Sequence, residues 1–199
     1  MIEIGPATEN EMVLAFVQAE IDSARFGPIY TGILSNSGIN RESLIDRADL
    51  NSAKDNWMRK ELLKRVRGYG NDSLLFRGFP NSVQWRRVGL EAADWEMVTY
   101  ANYPTWLTLS GGTRIVADGA KNIESIVVAE DANRNIKAVA ADVRGGKRYP
   151  ALIGVDGLNG EIILLEGHTR ATAYALAKSS ERVECIIGSS PTMKTWAFY

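Results

Sequence analysis

Four consecutive residues, Gly167-His168-Thr169-Arg170, bring together the groups that hold an oxyanion. Glycine lets a bulky anion approach the backbone, threonine adds a hydroxyl donor, and arginine adds a planar fork matched to phosphate. His168 is the only histidine of the chain. A lone histidine is usually structural, but inside this turn it is placed to donate to a phosphate or to shuttle a proton. Residues 161–165 read as a buried aliphatic strand, and 169–178, built from Ala, Tyr and Leu, as a helix. A strand that ends in glycine and opens directly into a helix gathers unpaired N–H groups and the positive end of a helix dipole at one point. The joint therefore reads as a phosphate cradle. That reading requires Arg170 to face solvent, so that replacing Arg170 by alanine removes the ligand and spares the fold.

Phosphoryl transfer also needs charge neutralisation, commonly by magnesium, and a group that positions the attacking oxygen. Glu130 and Asp131 leave an expected core strand next to the element that precedes the cradle, which makes them the candidate Mg2+ ligands. The competing reading is that they merely lead into a helix cap at Asn133. Glu166, just before the turn, is placed either to hold Arg170 or to bind metal. One histidine and one cysteine do not make a zinc site, and Cys185 lies in the aliphatic run VECIIG as a buried thiol.

The elements that must carry these groups follow from pattern and punctuation. Thr8 with Glu11 forms a capping box ahead of Val13, Phe16, Val17 and Ile21 at helical spacing, and that helix is expected to end near Phe26-Gly27-Pro28. Residues 30–40, rich in Gly, Ser and Asn, read as an exposed loop. A short helix is expected after Asn40. Ser52 with Asp55 opens another, which has Trp57, Met58, Leu62 and Val66 near one face and Gly68 or Gly70 at its end. Residues 73–79 read as a strand stopped by Pro80. Trp85, Trp95 and Trp106 are anchors that knit this first part to the rest. Ser110-Gly111-Gly112-Thr113-Arg114 is a glycine turn and a secondary ligand-contact candidate. The β-branched run 123–129 reads as a strand, with Glu130-Asp131 in a loop after it. A helix follows that buries Ile136, Val139, Ala140 and Val143 and stops at Gly145-Gly146. The strand ALIGV then follows Tyr149-Pro150, with a hairpin at Asp156-Gly157 and Gly160. Trp196, Phe198 and Tyr199 are expected to fold back onto the body.

The runs YPALIGV, NGEIILLEGHTRATAYALA and ERVECIIG resemble the core of the ParB/sulfiredoxin superfamily. In that group a Pro-aliphatic strand, a hairpin and a Gly-x-x-Arg turn before an Ala-rich helix form a nucleotide-phosphate site. ParB proteins carry Gly-Glu-Arg-Arg and bind CTP, sulfiredoxins carry Gly-Cys-His-Arg and use ATP, and a free-serine kinase uses a similar turn for ADP. Here the first and last positions match, as Gly167 and Arg170, and the middle two differ. The match reaches upstream to 133–139. The resemblance implies nucleotide binding at Gly167, His168, Thr169 and Arg170, with ATP, ADP or CTP as ligand. By analogy with the kinase, Glu130 would be the catalytic base and His168 would assist. Sulfiredoxin activity is disfavoured because His168 stands where the nucleophilic cysteine would be. Centromere binding is disfavoured because Thr169 replaces a basic residue and no helix-turn-helix run follows.

The chain of 199 residues is 45% hydrophobic, enough for a packed core. With 23 basic and 24 acidic residues its formal net charge is -1, which gives no general attraction to nucleic acid. No apolar run has membrane-spanning length and the N-terminus lacks a basic leader, so a cytoplasmic protein is expected. The sequence thus predicts a mixed α+β (α/β) protein: a mainly helical, Trp-rich extension over 1–121 packed on a ParB/sulfiredoxin-like core over 122–199. The function expected is nucleotide binding with hydrolysis or transfer of a phosphate, by an ATPase or a small-molecule kinase. The alternatives are a plasmid- or phage-type regulatory protein, with the Trp-rich extension as its protein-partner surface, or a ParB-like nuclease acting on DNA.

Overall fold

The computed structural model describes residues 1–199, except the side chain of Glu130. It is a mixed α+β structure around one six-stranded sheet in the order β1-β2-β6-β4-β5-β3. The strands are β1 (Ile2–Ala7), β2 (Gln84–Leu90), β3 (Val98–Thr99), β4 (Leu152–Asp156), β5 (Ile162–Glu166) and β6 (Val183–Ser189). β4 runs parallel to β6 and β3 parallel to β5, while the other pairs are antiparallel. Segments 1–121 and 122–199 supply three strands each, and β6 joins β2 of the first to β4 of the second.

Strand side chains alternate between two faces. Trp85, Ile153, Val155, Ile163, Leu165 and Ile186 pack under α1 (Glu9–Glu20), α2 (Gly27–Asn36) and α3 (Ala53–Arg67). Val88, Leu90, Leu152, Ile162, Leu164, Cys185 and Ile187 pack on the other side. That side is covered by α5 (Val116–Asn122), α6 (Glu130–Arg144) and α7 (His168–Ala177), with α4 (Pro104–Leu109) beside them. Burial pushes the Cys185 thiol up to about 12, so it stays a neutral packing group.

Helix starts agree with the capping signals. The Thr8 hydroxyl accepts from the Glu11 amide at 3.2 Å, and Glu11 returns the bond to the Thr8 amide at 2.6 Å. The Ser52 hydroxyl caps α3 through the Asp55 amide at 3.2 Å, and Gly68 closes it in the left-handed region at φ 83°. Several expectations are corrected. The stretch 30–40 is mostly helix: Pro28 opens α2, and Tyr30 and Leu34, one turn apart, are buried. Leu74 and Asp72 adopt positive φ, so 73–79 holds a 3-10 turn (Leu74–Phe76) and no strand. Residues 123–129 form no strand either. The Asn133 amide, buried inside α6, donates to the carbonyls of Ile123 at 3.0 Å and Ile126 at 2.8 Å, taking the place of a ladder. Glu130 and Asp131 therefore open a helix and are not in a loop. Trp57 is 62% exposed, off the packed face of α3.

Helix α5 is held close to the sheet by a glycine. A Cβ at Gly119 would lie 2.2 Å from the Tyr100 hydroxyl, which is itself buried and paired with the Thr172 hydroxyl at 2.7 Å. Gly119→Ala is expected to cost about 1–3 kcal/mol, through overpacking and loss of that bond. Urea unfolding at constant m-value checks this, and an unchanged midpoint contradicts it.

Candidate functional site

The turn 167–170 has the local geometry that the sequence implies. β5 runs into Gly167, whose φ of 96° is left-handed, and a Cβ there would meet Leu152 Cδ2 at 2.5 Å. Both facts require glycine. No side chain caps α7. Its first internal amide bond runs from Ala171 to the Gly167 carbonyl at 2.8 Å, so the amides of His168, Thr169 and Arg170 have no acceptor among the described residues. The Thr169 hydroxyl, half-buried, also makes no hydrogen bond there.

The side chains at the turn depart from the expectation. Arg170 is only 7% exposed. One terminal nitrogen donates to the carbonyls of Pro150 and Ala151, and the other is locked onto the Glu166 carboxylate. Of the two roles open to Glu166, it takes the first and holds Arg170. A bulge makes this possible. Leu164 pairs with Gly154 and Glu166 with Ile153, so Leu165 and Glu166 together stand against one residue of β4.

His168 is enclosed. Its ring stacks on Trp106 at 5.2 Å and Tyr100 at 6.0 Å, with Tyr103 edge-on at 6.3 Å. Its Nε2 accepts from the Ala101 amide at 3.2 Å, which leaves the proton on Nδ1. Burial, then the positive charges of Arg67, Arg170 and Arg114, push its pKa down to about 3. His168 is thus neutral near pH 7, a packing and hydrogen-bonding group. That is not the state of a proton shuttle, which needs a pKa near the working pH.

Of the two carboxylates named for metal, only the side chain of Asp131 is among the described residues. Asp131, with its side chain 79% exposed, pairs with Arg134 one turn on. The side chain of Glu130 lies outside the described residues. Among the described residues no three His, Cys, Asp or Glu side chains converge to hold a metal. The Ser110–Arg114 turn is used internally except at Arg114 Nη2, which is buried without a hydrogen-bond partner. The Ser110 hydroxyl accepts from the Arg114 amide at 2.9 Å, and Arg114 Nε donates to the Tyr100 carbonyl at 2.8 Å. Two open hollows, of about 460 and 390 Å³, are lined respectively by residues around Asp156 and Lys194 and by residues around Asn40 and Lys54. No residue of the turn lines either of them.

The sequence reading passed over a buried ion pair between two helix ends, Glu20 with Arg67. Glu20, at the end of α1, is 5% exposed. It accepts from the Tyr30 hydroxyl at 3.1 Å and lies 3.3 Å from Arg67 Nε at the end of α3. Burial is the largest influence on its carboxyl and raises its pKa to about 7. Glu166 raises it further, while Arg67, the Tyr30 hydroxyl and Arg25 oppose the rise. Arg67 lies over the Phe26 ring at 4.2 Å, yet its Nε is buried without a hydrogen-bond partner. A signal existed for both. Glu20 continues the buried series Met12, Phe16, and Arg67 the series Arg59, Leu63, each at a spacing of four on a helix face.

The tryptophans are mostly interior. Trp85, Trp95 and Trp196 are buried and Trp106 half-buried, which leaves Trp57 exposed. No helix among the described residues is long and apolar enough to cross a membrane. No family model, curated protein or solved structure matches the chain.

Proposed function

We propose that the backbone amides of the turn 167–170 bind the phosphate of a nucleotide in the ParB/sulfiredoxin-like manner, and that the protein hydrolyses or transfers that phosphate. The ligand-free chain does not meet the requirement that Arg170 face solvent, since Glu166 holds it inside. The observation that carries the reading is the run of three unpaired amides after a left-handed glycine, beside a guanidinium. Gly167 and the amides receive the phosphate, Thr169 adds its hydroxyl, and Arg170 turns from Glu166 toward the ligand. His168 positions the turn from below as a neutral ring. A phosphate competes well for Arg170 because it carries more charge than one carboxylate and brings three acceptor oxygens to the fork. Among the described residues no cluster of carboxylate, histidine or cysteine side chains forms a dedicated metal site. Mg2+ enters with the nucleotide, whose own oxygens supply most of its ligands.

Isothermal titration with ATP, ADP and CTP, with and without Mg2+, tests this. Binding of at least one is expected. Thr169→Glu places a negative charge on the amides while favouring the helix dipole, so the fold is kept and affinity falls at least about tenfold. Absence of binding by all three overturns the reading. A second reading, a regulatory or interaction protein, rests on exposed Trp57. It gains ground if no nucleotide binds and Trp57→Ala abolishes a protein complex. Nuclease action on DNA has only the resemblance behind it, given the net charge of -1.

A further inference from the structure

The larger hollow lies where three neighbouring strands reach the same end of the sheet. Gln84 opens β2 opposite Ser189, the last residue of β6. β4 runs parallel to β6 with Val155 against Gly188, so Asp156 and Ser189 end their strands side by side. In sheets with parallel strands, ligands gather in the crevice beyond the carboxyl ends. Here that crevice holds about 460 Å³, within the range of small-molecule sites. It is a different place from the turn 167–170. Asp156 pairs with Ile162 at the start of β5 and the turn follows its end, so the five residues of β5, about 15 Å, separate the two.

The lining has the chemistry of a polar ligand's site. Pockets for apolar molecules are walled mainly by apolar side chains. This one is lined by Ser82, Gln84, Asp156, Ser189 and Lys194, with the buried Met193 beside them. Arg86 donates to both oxygens of Asp156, at 2.8 and 2.6 Å. That fork fixes the plane of the carboxylate and balances its charge. A carboxylate offers about four acceptor sites and Arg86 fills two, which leaves two for hydroxyls on adjacent carbon atoms. The Ser82 hydroxyl and the Gln84 side-chain amide make no hydrogen bond among the described residues. Lys194 is exposed and has no ion-pair partner among them. With Arg86 and Asp156 cancelling, Lys194 gives the hollow one net positive charge.

We infer that this hollow binds a small sugar that carries one anionic group, a phosphate or a carboxylate. The sugar hydroxyls meet Asp156, Gln84 and the serines, which between them accept and donate, and the anion meets Lys194. A neutral sugar leaves the ammonium without a partner. A bare anion brings like charge up to Asp156. Only a ligand with both features answers the whole lining. The inference goes beyond the nucleotide reading and does not depend on it, since the two sites share no residue.

The test is an amide NMR titration of the whole chain with glucose 6-phosphate, ribose 5-phosphate and glucuronate, with glucose and inorganic phosphate as controls. At least one anionic sugar is expected to bind more tightly than about 1 mM and to move the amides of Gln84, Asp156 and Ser189. Glucose and phosphate are each expected to bind at least about tenfold more weakly, since each lacks one of the two matches. The phosphate-bearing and carboxylate-bearing probes separate the two sources of the anion. Lys194→Met, a change at an exposed position, is expected to weaken the anionic sugars at least about tenfold and to leave glucose unchanged. Gln84→Glu, also at an exposed position, adds a second carboxylate and is expected to weaken the anionic sugars by a similar factor. Thr169→Glu, which spoils only the turn, is expected to leave sugar binding unchanged. Failure of all three anionic sugars to bind overturns the inference. Binding that Lys194→Met does not weaken overturns it too, as do amide shifts confined to 167–170. The nucleotide reading is decided separately, by calorimetry with ATP, ADP and CTP.

Discussion

Arg170→Ala is expected to lose about 3–5 kcal/mol of stability, because it leaves the Glu166 carboxylate buried without its partner. It also strips the donor from the Pro150 carbonyl. The sequence alone suggests the reverse, a variant that folds normally and merely fails to bind. Where the total lies at the low end of the typical range of about 5–15 kcal/mol, a loss of this size leaves part of the chain unfolded at room temperature. Failure of that variant to bind nucleotide would then carry no information about the site. The paired change Arg170→Met with Glu166→Gln removes both charges and is expected to recover at least half of the loss, since a buried pair replaced as a unit costs far less than a pair broken. Chemical denaturation of the single and double variants measures this. Equal stability of Arg170→Ala and wild type would show that the guanidinium is not held as described.

The second large effect is in the pH profile, where a buried carboxyl and a half-buried imidazole work against each other. The Glu20 carboxyl is raised from 4.5 to about 7 on folding. The folded chain keeps its proton where the unfolded chain has lost it, so this contribution is complete below pH 4.5 and is lost as pH rises through about 7. The His168 imidazole is lowered from 6.5 to about 3. Its contribution is complete above pH 6.5 and is lost as pH falls toward 3. Between pH 4.5 and 6.5 the two slopes, each up to about 1.4 kcal/mol per pH unit, have opposite signs and cancel. Relative to wild type, Glu20→Gln is expected to gain stability with rising pH across this window, and His168→Gln to lose it. Gln at 168 keeps an acceptor for the Ala101 amide, so the packing survives. Urea midpoints at half-unit steps of pH give the three curves. Parallel curves would mean that these groups titrate alike in the folded and unfolded chain.

The joint between β5 and α7 was legible because the hydrophobic period changes from two to about four at a glycine, and only glycine fits there. The capping boxes and the left-handed stop at Gly68 were legible for the same reason: each is decided by neighbours in sequence. The helix at Pro28 was hidden by its Gly, Ser and Asn content. Tyr30 and Leu34 outweigh that propensity only through a core that sequence does not display. Residues 123–129 have the β-branched composition of a strand, and one distant amide, Asn133, decides otherwise.

At the site, residue types were readable but their pairings were not. Strict alternation would turn Leu165 and Glu166 to opposite faces, and the bulge that places both against Ile153 has no signature in the run IILLEG. That single register step decides whether Arg170 faces a ligand or a carboxylate. Glu20 and Arg67 sit on buried helical spacings, where charged residues are rare unless paired. They were the most accessible clue that was left unused.

The position of β6 bears on how the chain is made. Strand β6, which follows the other five in the chain, is the one that unites the sheet, since β2 and β4 touch only through it. Until Val183 to Ser189 leave the ribosome, the nascent polypeptide holds two half-sheets, β1-β2 and β4-β5-β3, each with an open inner border. Such borders invite pairing with other strands. A pause in translation just before β6 would therefore leave both borders open to such pairing.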